Sequence, residues 1–180
     1  MPYSFNLVDE KWIPCVAFDG SVEELSLRDA LVQAHLYREL GGESPLVTVA
    51  LYRLLLAVLH RVFGPKDRDA WRELWLSKRW DSAALDAYLT RWQHRFDLFD
   101  EQRPFFQADH PTILPNPIGN LLHELCKNDT FYDHRTLDGV ELNPAEATRH
   151  LLTAQAFGRW MTKGPYGQLP FGDKDHPPGA

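Results

Sequence analysis

The stretch SPLVTVALYRLLLAVLHRVFGP, residues 44–65, constrains the fold more than any other part of the chain. Ser44 can accept from an otherwise unpaired N–H of a first helical turn, Pro45 suits the first helical position, and Gly64-Pro65 end the run. Between these signals Leu46, Val47, Ala50, Leu51, Leu54, Leu55, Val58, Leu59, Val62 and Phe63 recur at three- and four-residue spacing, and Leu56 and Ala57 widen the stripe. The pattern predicts one long helix covered on most sides. It approaches membrane-spanning length, but Arg53, His60 and Arg61 interrupt it, and a charge near a bilayer centre costs roughly 2.5–3.5 kcal/mol on insertion scales. A core helix is therefore expected, with no membrane partner.

A chain of 180 residues that is 44% hydrophobic can bury a core, which excludes the disordered class. Its two cysteines, Cys15 and Cys126, match no disulfide framework and no paired CxxC pattern, and no signal peptide opens the sequence. A cytoplasmic location follows as the expectation. The net charge of −6 argues against a protein that grips nucleic acid unaided, because such proteins carry a basic surplus that displaces counterions from phosphate.

Along the chain, FNLV and WIPCVAF read as strands, Asp19-Gly20 as a hairpin turn and VEELSL as the returning strand. Ser26 with Asp29 resembles a capping box opening a short helix through Ala34, and Gly41-Gly42 break the chain before the long helix. Residues 67–78 place Trp71, Leu74 and Trp75 on one side of a helix. Asp81 caps another over residues 82–94, with Leu85, Tyr88, Leu89 and Trp92 at helical spacing. The tryptophans are read as core residues rather than a stacking surface for bases. Residues 96–119 hold four prolines and no period, a structured loop anchored by Phe96, Phe99, Phe105 and Phe106. Residues 120–127 form a short helix or strand. Asn143, Pro144 and Glu146 then open a helix that runs through Leu151, Leu152, Ala154, Gln155 and Phe157 to Gly158. A tail rich in glycine and proline follows.

Catalytic chemistry finds little support in these residues. His123 and Cys126 could offer two soft ligands to zinc, with His110 or His134 in addition, but a structural site needs four and no second close pair exists. Asp133-His134 and the carboxylates Asp97, Asp100 and Glu101 lack any accompanying nucleophile elbow, phosphate loop or HExxH pattern. A metal-dependent hydrolase is thus the weakest reading, and no cofactor is expected. Phe131 and Tyr132 lie among turn formers, where large aromatics either wedge and stack on bases or fold back as loop anchors.

Six segments, FNLVDEKWIP, DGSVEELSLRDAL, ELGGESPLVTVALYRLLLAVLHRVFGP, RFDLFDEQRPFFQ, NDTFYDH and PAEATRHLLTAQAFG, resemble in sequence and order the CasA family, the large subunit of the type I-E CRISPR Cascade complex. The resemblance implies a nonenzymatic, antiviral-defence subunit of a crRNA-guided complex. Such a subunit reads the protospacer-adjacent motif (PAM) in double-stranded DNA, helps open the target and recruits a helicase-nuclease. Its implied partners are other Cascade subunits, crRNA, the DNA target and that helicase-nuclease. The loop Asn128, Thr130, Phe131, Tyr132, Asp133 and His134 aligns with a family loop that contacts the crRNA end and the neighbouring backbone subunit. The stretch GRWMTKGPYG aligns with a glycine-containing loop that approaches the PAM minor groove, making Lys163 and Gly164 candidate contacts and Arg159 a phosphate support. Family members are much longer, and some carry CxxC pairs that this chain lacks.

The expected architecture is α+β, a mainly helical globular domain with a small N-terminal antiparallel β unit and long structured loops. Residues 1–158 correspond to an incomplete CasA-like N-terminal domain. Residues 159–180 form a Gly/Pro-rich tail or begin a missing portion. The alternative function is a structural assembly domain that docks on the crRNA-bearing backbone without reading DNA.

Overall fold

The computed structural model describes residues 3–107, 118–122 and 140–157 of the chain. Three short strands, β1 (Ile13–Ala17), β2 (Val22–Leu25) and β3 (Tyr37–Leu40), form an antiparallel sheet in the order β2-β1-β3. Ile13 stands opposite Leu25, and Cys15 lies between Glu23 and Leu40, with a register shift after Val16. The β1–β2 turn forms as the Asp19-Gly20 pair predicts. Gly20 takes a φ of 88°, and the Asp19 carboxylate accepts from the Ser21 N–H at 2.9 Å and its hydroxyl at 2.6 Å. Those bonds hold Asp19 below the usual carboxylate range, the Ser21 hydroxyl contributing most.

Two strand expectations change. FNLV is no strand: Asn6 makes an isolated bridge to Asp97, and the chain then turns, with Asp9 and Glu10 N–H groups both directed to the Asn6 carbonyl. Leu7 and Val8, adjacent in sequence, are both fully buried, which a turn plugged into the core permits and a strand with alternating faces does not. Trp12 closes this turn by donating from Nε1 to the Leu7 carbonyl at 2.8 Å. Conversely, β3 has no sequence signature, because its YREL residues are exposed or half-buried and its pairing with β1 creates it.

Five α-helices occur among the described residues. Helix α1 (Leu27–Val32) starts at Ser26, whose hydroxyl accepts from the Asp29 N–H at 3.0 Å, and it stops short of Ala34, where a single tighter turn begins. Helix α2 (Pro45–Phe63) has the predicted limits, with Ser44 as N-cap and Gly64 at its end. Helix α3 (Arg68–Ser77) is capped by Asp67, which accepts from Ala70 N–H at 2.8 Å. Helix α4 (Ser82–Trp92) is capped by Asp81, and a 3-10 turn carries the chain on to Arg95. Helix α5 (Pro144–Phe157) packs along α2.

The core unites residues from Leu7 to Leu152, centred on Trp12, Ile13, Leu27, Leu31, Leu51, Leu85 and Leu89. Helix α2 contributes Val47, Ala50, Leu51, Leu55 and Val58, and each fully buried valine or leucine stabilises the fold by roughly 1.5–3 kcal/mol. It is not covered on most sides as its composition suggests. Leu46, Val49, Tyr52 and Leu56 remain exposed, so its described packing is one-faced. By length and hydropathy alone α2 could cross a membrane, but its buried stripe belongs to the protein core. Of the four anchoring phenylalanines expected in the loop after α4, Phe96 and Phe105 are buried and stacked at 5.5 Å, whereas Phe99 and Phe106 are exposed. Residues 118–121 form a 3-10 turn packed against α5.

Candidate nucleic-acid interface

Helix α5 is the element from which the candidate interface is suspended, and the sequence fixes it at both ends. Asn143 and Glu146 form a reciprocal capping box: the Glu146 N–H donates to the Asn143 side chain at 2.9 Å, and the Asn143 N–H donates to the Glu146 carboxylate at 3.0 Å. At the other end Arg53 of α2 donates to the Ala156 carbonyl at 3.1 Å, one of the terminal carbonyls that no intrahelical N–H satisfies. Gln155 also donates to the Phe106 carbonyl at 3.1 Å.

Arg149 ties the middle of the helix to the sheet. Its buried guanidinium donates to the Trp12 carbonyl at 2.8 Å, to Glu24 of β2 at 2.8 Å and to Glu43, just before α2, at 2.6 Å. Five donors in a rigid fork suit this multiple engagement, which a lysine could not reproduce. Sequence reasoning passed over Arg149. Its signal was a cation on the apolar stripe, four residues after Ala145 and three before Leu152.

The residues singled out in sequence, Asn128, Thr130, Phe131, Tyr132, Asp133, His134, Arg159, Lys163 and Gly164, lie outside the described residues. What the structure defines is their attachment. The 3-10 turn that leads into residues 123–139 packs on α5, and Val140 re-enters the described chain just before the α5 cap. Residues 158–180 leave from the other end of α5. The helix between Val140 and residues 158–180 has 14 residues and is roughly 20 Å long at 1.5 Å per residue.

The alternative chemistries gain no site among the described residues. No group of three or more His, Cys, Asp or Glu side chains gathers there in a way that could hold a metal ion, and His110, His123, Cys126 and His134 lie outside them. The carboxylates of the 97–101 segment shape their own loop. Asp97 accepts from the Phe99 N–H at 2.8 Å and from the Ser4 hydroxyl. Asp100 accepts from the N–H groups of Arg103 at 2.6 Å and Gln102 at 3.0 Å, bonds that hold its carboxyl below the ordinary range. Cys15 is buried, and desolvation, aided by the Glu23 charge, pushes its thiol up to about 11, away from nucleophilic use at neutral pH.

The tryptophans divide. Trp12 is fully buried and Trp80 and Trp92 are half-buried against the core, but Trp71 is 53% exposed and Trp75 71% exposed. The expectation that all of them are core residues fails for α3, which buries no residue.

Comparison with known proteins gives a consistent answer. The family model for CRISPR-associated protein Cse1 matches residues 6–171. The CRISPR-associated protein CasA/Cse1 of Thermus thermophilus is 40% identical over 158 residues, covering 85% of this chain and 31% of that protein. The crystal structure of Thermobifida fusca Cse1 superposes with a TM-score of 0.76 at 36% identity, over 86% of this chain and 30% of that one. A chain of a CRISPR RNA-guided surveillance complex superposes with a TM-score of 0.76 at 25% identity, over 87% of this chain and 35% of that one. The chain thus spans about a third of the length of these relatives.

Proposed function

Because the chain belongs to the Cse1 (CasA) family of CRISPR-associated proteins, we propose that it is a nonenzymatic subunit of a type I-E, crRNA-guided surveillance complex. In this reading it contributes to PAM recognition in double-stranded DNA, to target binding and to helicase-nuclease recruitment, and it works in the cytoplasm. The observation that carries the reading is the family match over residues 6–171, which takes in both segments picked out in sequence. Tyr132, with Asn128, Thr130, Phe131, Asp133 and His134, engages the crRNA end or the neighbouring backbone subunit. Asp133, a poor phosphate ligand, accepts a hydrogen bond from base, ribose or protein. Lys163 and Gly164 approach the PAM minor groove, where absence of a side chain allows close backbone contact, and Arg159 supports a phosphate.

The fixing of α5 supports this division. A segment that reads a duplex needs a rigid origin, and Arg149, Arg53 and the capping box supply one for residues on both sides of the helix. Guide pairing then reads the long sequence while protein reads a short duplex motif, the arrangement known for another effector class.

A second reading is favoured by the net charge of −6. In it, the domain docks on the crRNA-bearing backbone and leaves DNA reading to other segments. Binding of PAM-containing and PAM-scrambled duplexes to a Cascade-like complex with and without this chain separates the two. PAM-dependent affinity added by the chain supports recognition; assembly without discrimination supports docking alone.

A further inference from the structure

Helix α3 and the C-terminal half of α2 enclose an open groove of about 430 Å³ that no described element fills. Two aromatic pairs line it. Trp71 and Trp75, one helical turn apart, stack at 5.6 Å with planes 16° apart, and Phe63 and Trp80 stack at 5.4 Å and 21°. Its charged lining is cationic, Lys78 and Arg79, and no carboxylate is among its described lining residues.

The rim is also held in place. Lys78 adopts φ 58°, a left-handed conformation that ends α3, and the Ser77 hydroxyl lies 2.7 Å from the Leu74 carbonyl and 2.9 Å from that of Arg79. Lys78 and Arg79 are thereby presented beside the rings rather than carried on a free loop. An amphipathic helix normally turns its tryptophans inward; here they remain exposed.

We propose that this groove binds single-stranded nucleic acid, with unpaired bases stacking on Trp71 and Trp75 and phosphates meeting Lys78 and Arg79. Flat rings combined with cations and without acids make the two-part surface that such strands use, stacking platform and electrostatic track. Duplex DNA has no free base face to offer the rings. An acidic peptide without aromatic residues, such as poly-glutamate, satisfies the cations but has no ring to stack on the indoles. None of the groove's described lining residues belongs to the loop or the glycine segment proposed above, and its test does not depend on them.

Binding of a fluorescent oligothymidylate to the 180-residue chain is measured by anisotropy across a salt series, beside a duplex and a poly-glutamate of equal charge. The expected result is saturable binding that weakens with salt, with both competitors at least about tenfold poorer. Trp71→Ala combined with Trp75→Ala lowers affinity about tenfold or more. Lys78→Ala with Arg79→Ala lowers the salt slope by about one to two. In the unaltered protein, photo-crosslinks from iodouracil-substituted strands map to residues 63–80. Equal binding of poly-glutamate, crosslinks that map elsewhere, or unchanged affinity in the double tryptophan variant overturns the proposal.

Discussion

At the scale of single residues, the chain's most consequential polar group is Arg149. Deleting one partner of a buried pair costs about 3–5 kcal/mol, but Glu24 and Glu43 are 43% and 38% exposed and can be rehydrated. Arg149→Ala is therefore expected to lower unfolding free energy by about 3 kcal/mol, the low end of that range. Chemical denaturation reads the loss, and Arg149→Lys should recover little of it because an ammonium lacks the fork. Tyr132→Ala should behave in the opposite way, weakening assembly or target binding with little change in melting temperature. A large drop would instead make Tyr132 a core anchor. Cys15 adds a pH dependence of definite sign. Its thiol ionises near 9.0 when unfolded and at about 11 when folded, so above pH 9 the native state keeps a proton that the unfolded state loses. Stability is fully present below pH 9 and falls as pH rises toward 11. Replacing Cys15 with alanine should flatten that part of the alkaline stability profile.

At the scale of elements, the difference between Trp12 and the α3 tryptophans can be measured. Trp12→Ala opens a void in the centre of the core and should cost about 3–5 kcal/mol. Trp71→Ala removes a ring that is more than half exposed and should cost about 1 kcal/mol or less. A comparable loss at both positions would show that α3 is buried in solution. The same contrast marks where sequence was legible. Helices α2, α4 and α5 could be read to within a few residues because Ser44, Asp81 and Asn143 announce their starts through local hydrogen bonds. Strand β3 and the turn at Leu7-Val8 could not, because pairing with β1 and insertion beneath Trp12 are long-range events without local periodicity. Apolar spacing on α3 identified one face correctly, but spacing alone cannot say whether a face meets a partner. Phe131 and Tyr132 stood out as large aromatics among turn formers, while the other site residues came from family resemblance; Arg149, which anchors their attachment, was signalled only by its place on the apolar stripe of α5.

At the scale of the whole molecule, the acidic balance decides how DNA recognition can work. Outside the cationic rim of the α3 groove, a chain of net charge −6 gains little from counterion release, so its own affinity for duplex should be weak at micromolar concentration and show little salt sensitivity. If the chain reads DNA as proposed, recognition draws on the rest of a complex, which holds the chain against its target at high effective concentration. A few contacts suffice under those conditions, since each wrong base pair typically costs about 1–3 kcal/mol. A complex containing this chain should therefore prefer a PAM-containing duplex over a scrambled one by about tenfold or more, and the preference should shrink when Lys163 or Gly164 is replaced. Replacing Gly164 with alanine tests backbone approach, because a single methyl group obstructs the minor groove without altering charge. Replacing Lys163 with alanine removes a cation and should reduce affinity for both duplexes as well. Loss of discrimination in the glycine variant with assembly intact would assign PAM reading to this segment. Unchanged discrimination in both variants would move PAM reading away from Lys163 and Gly164.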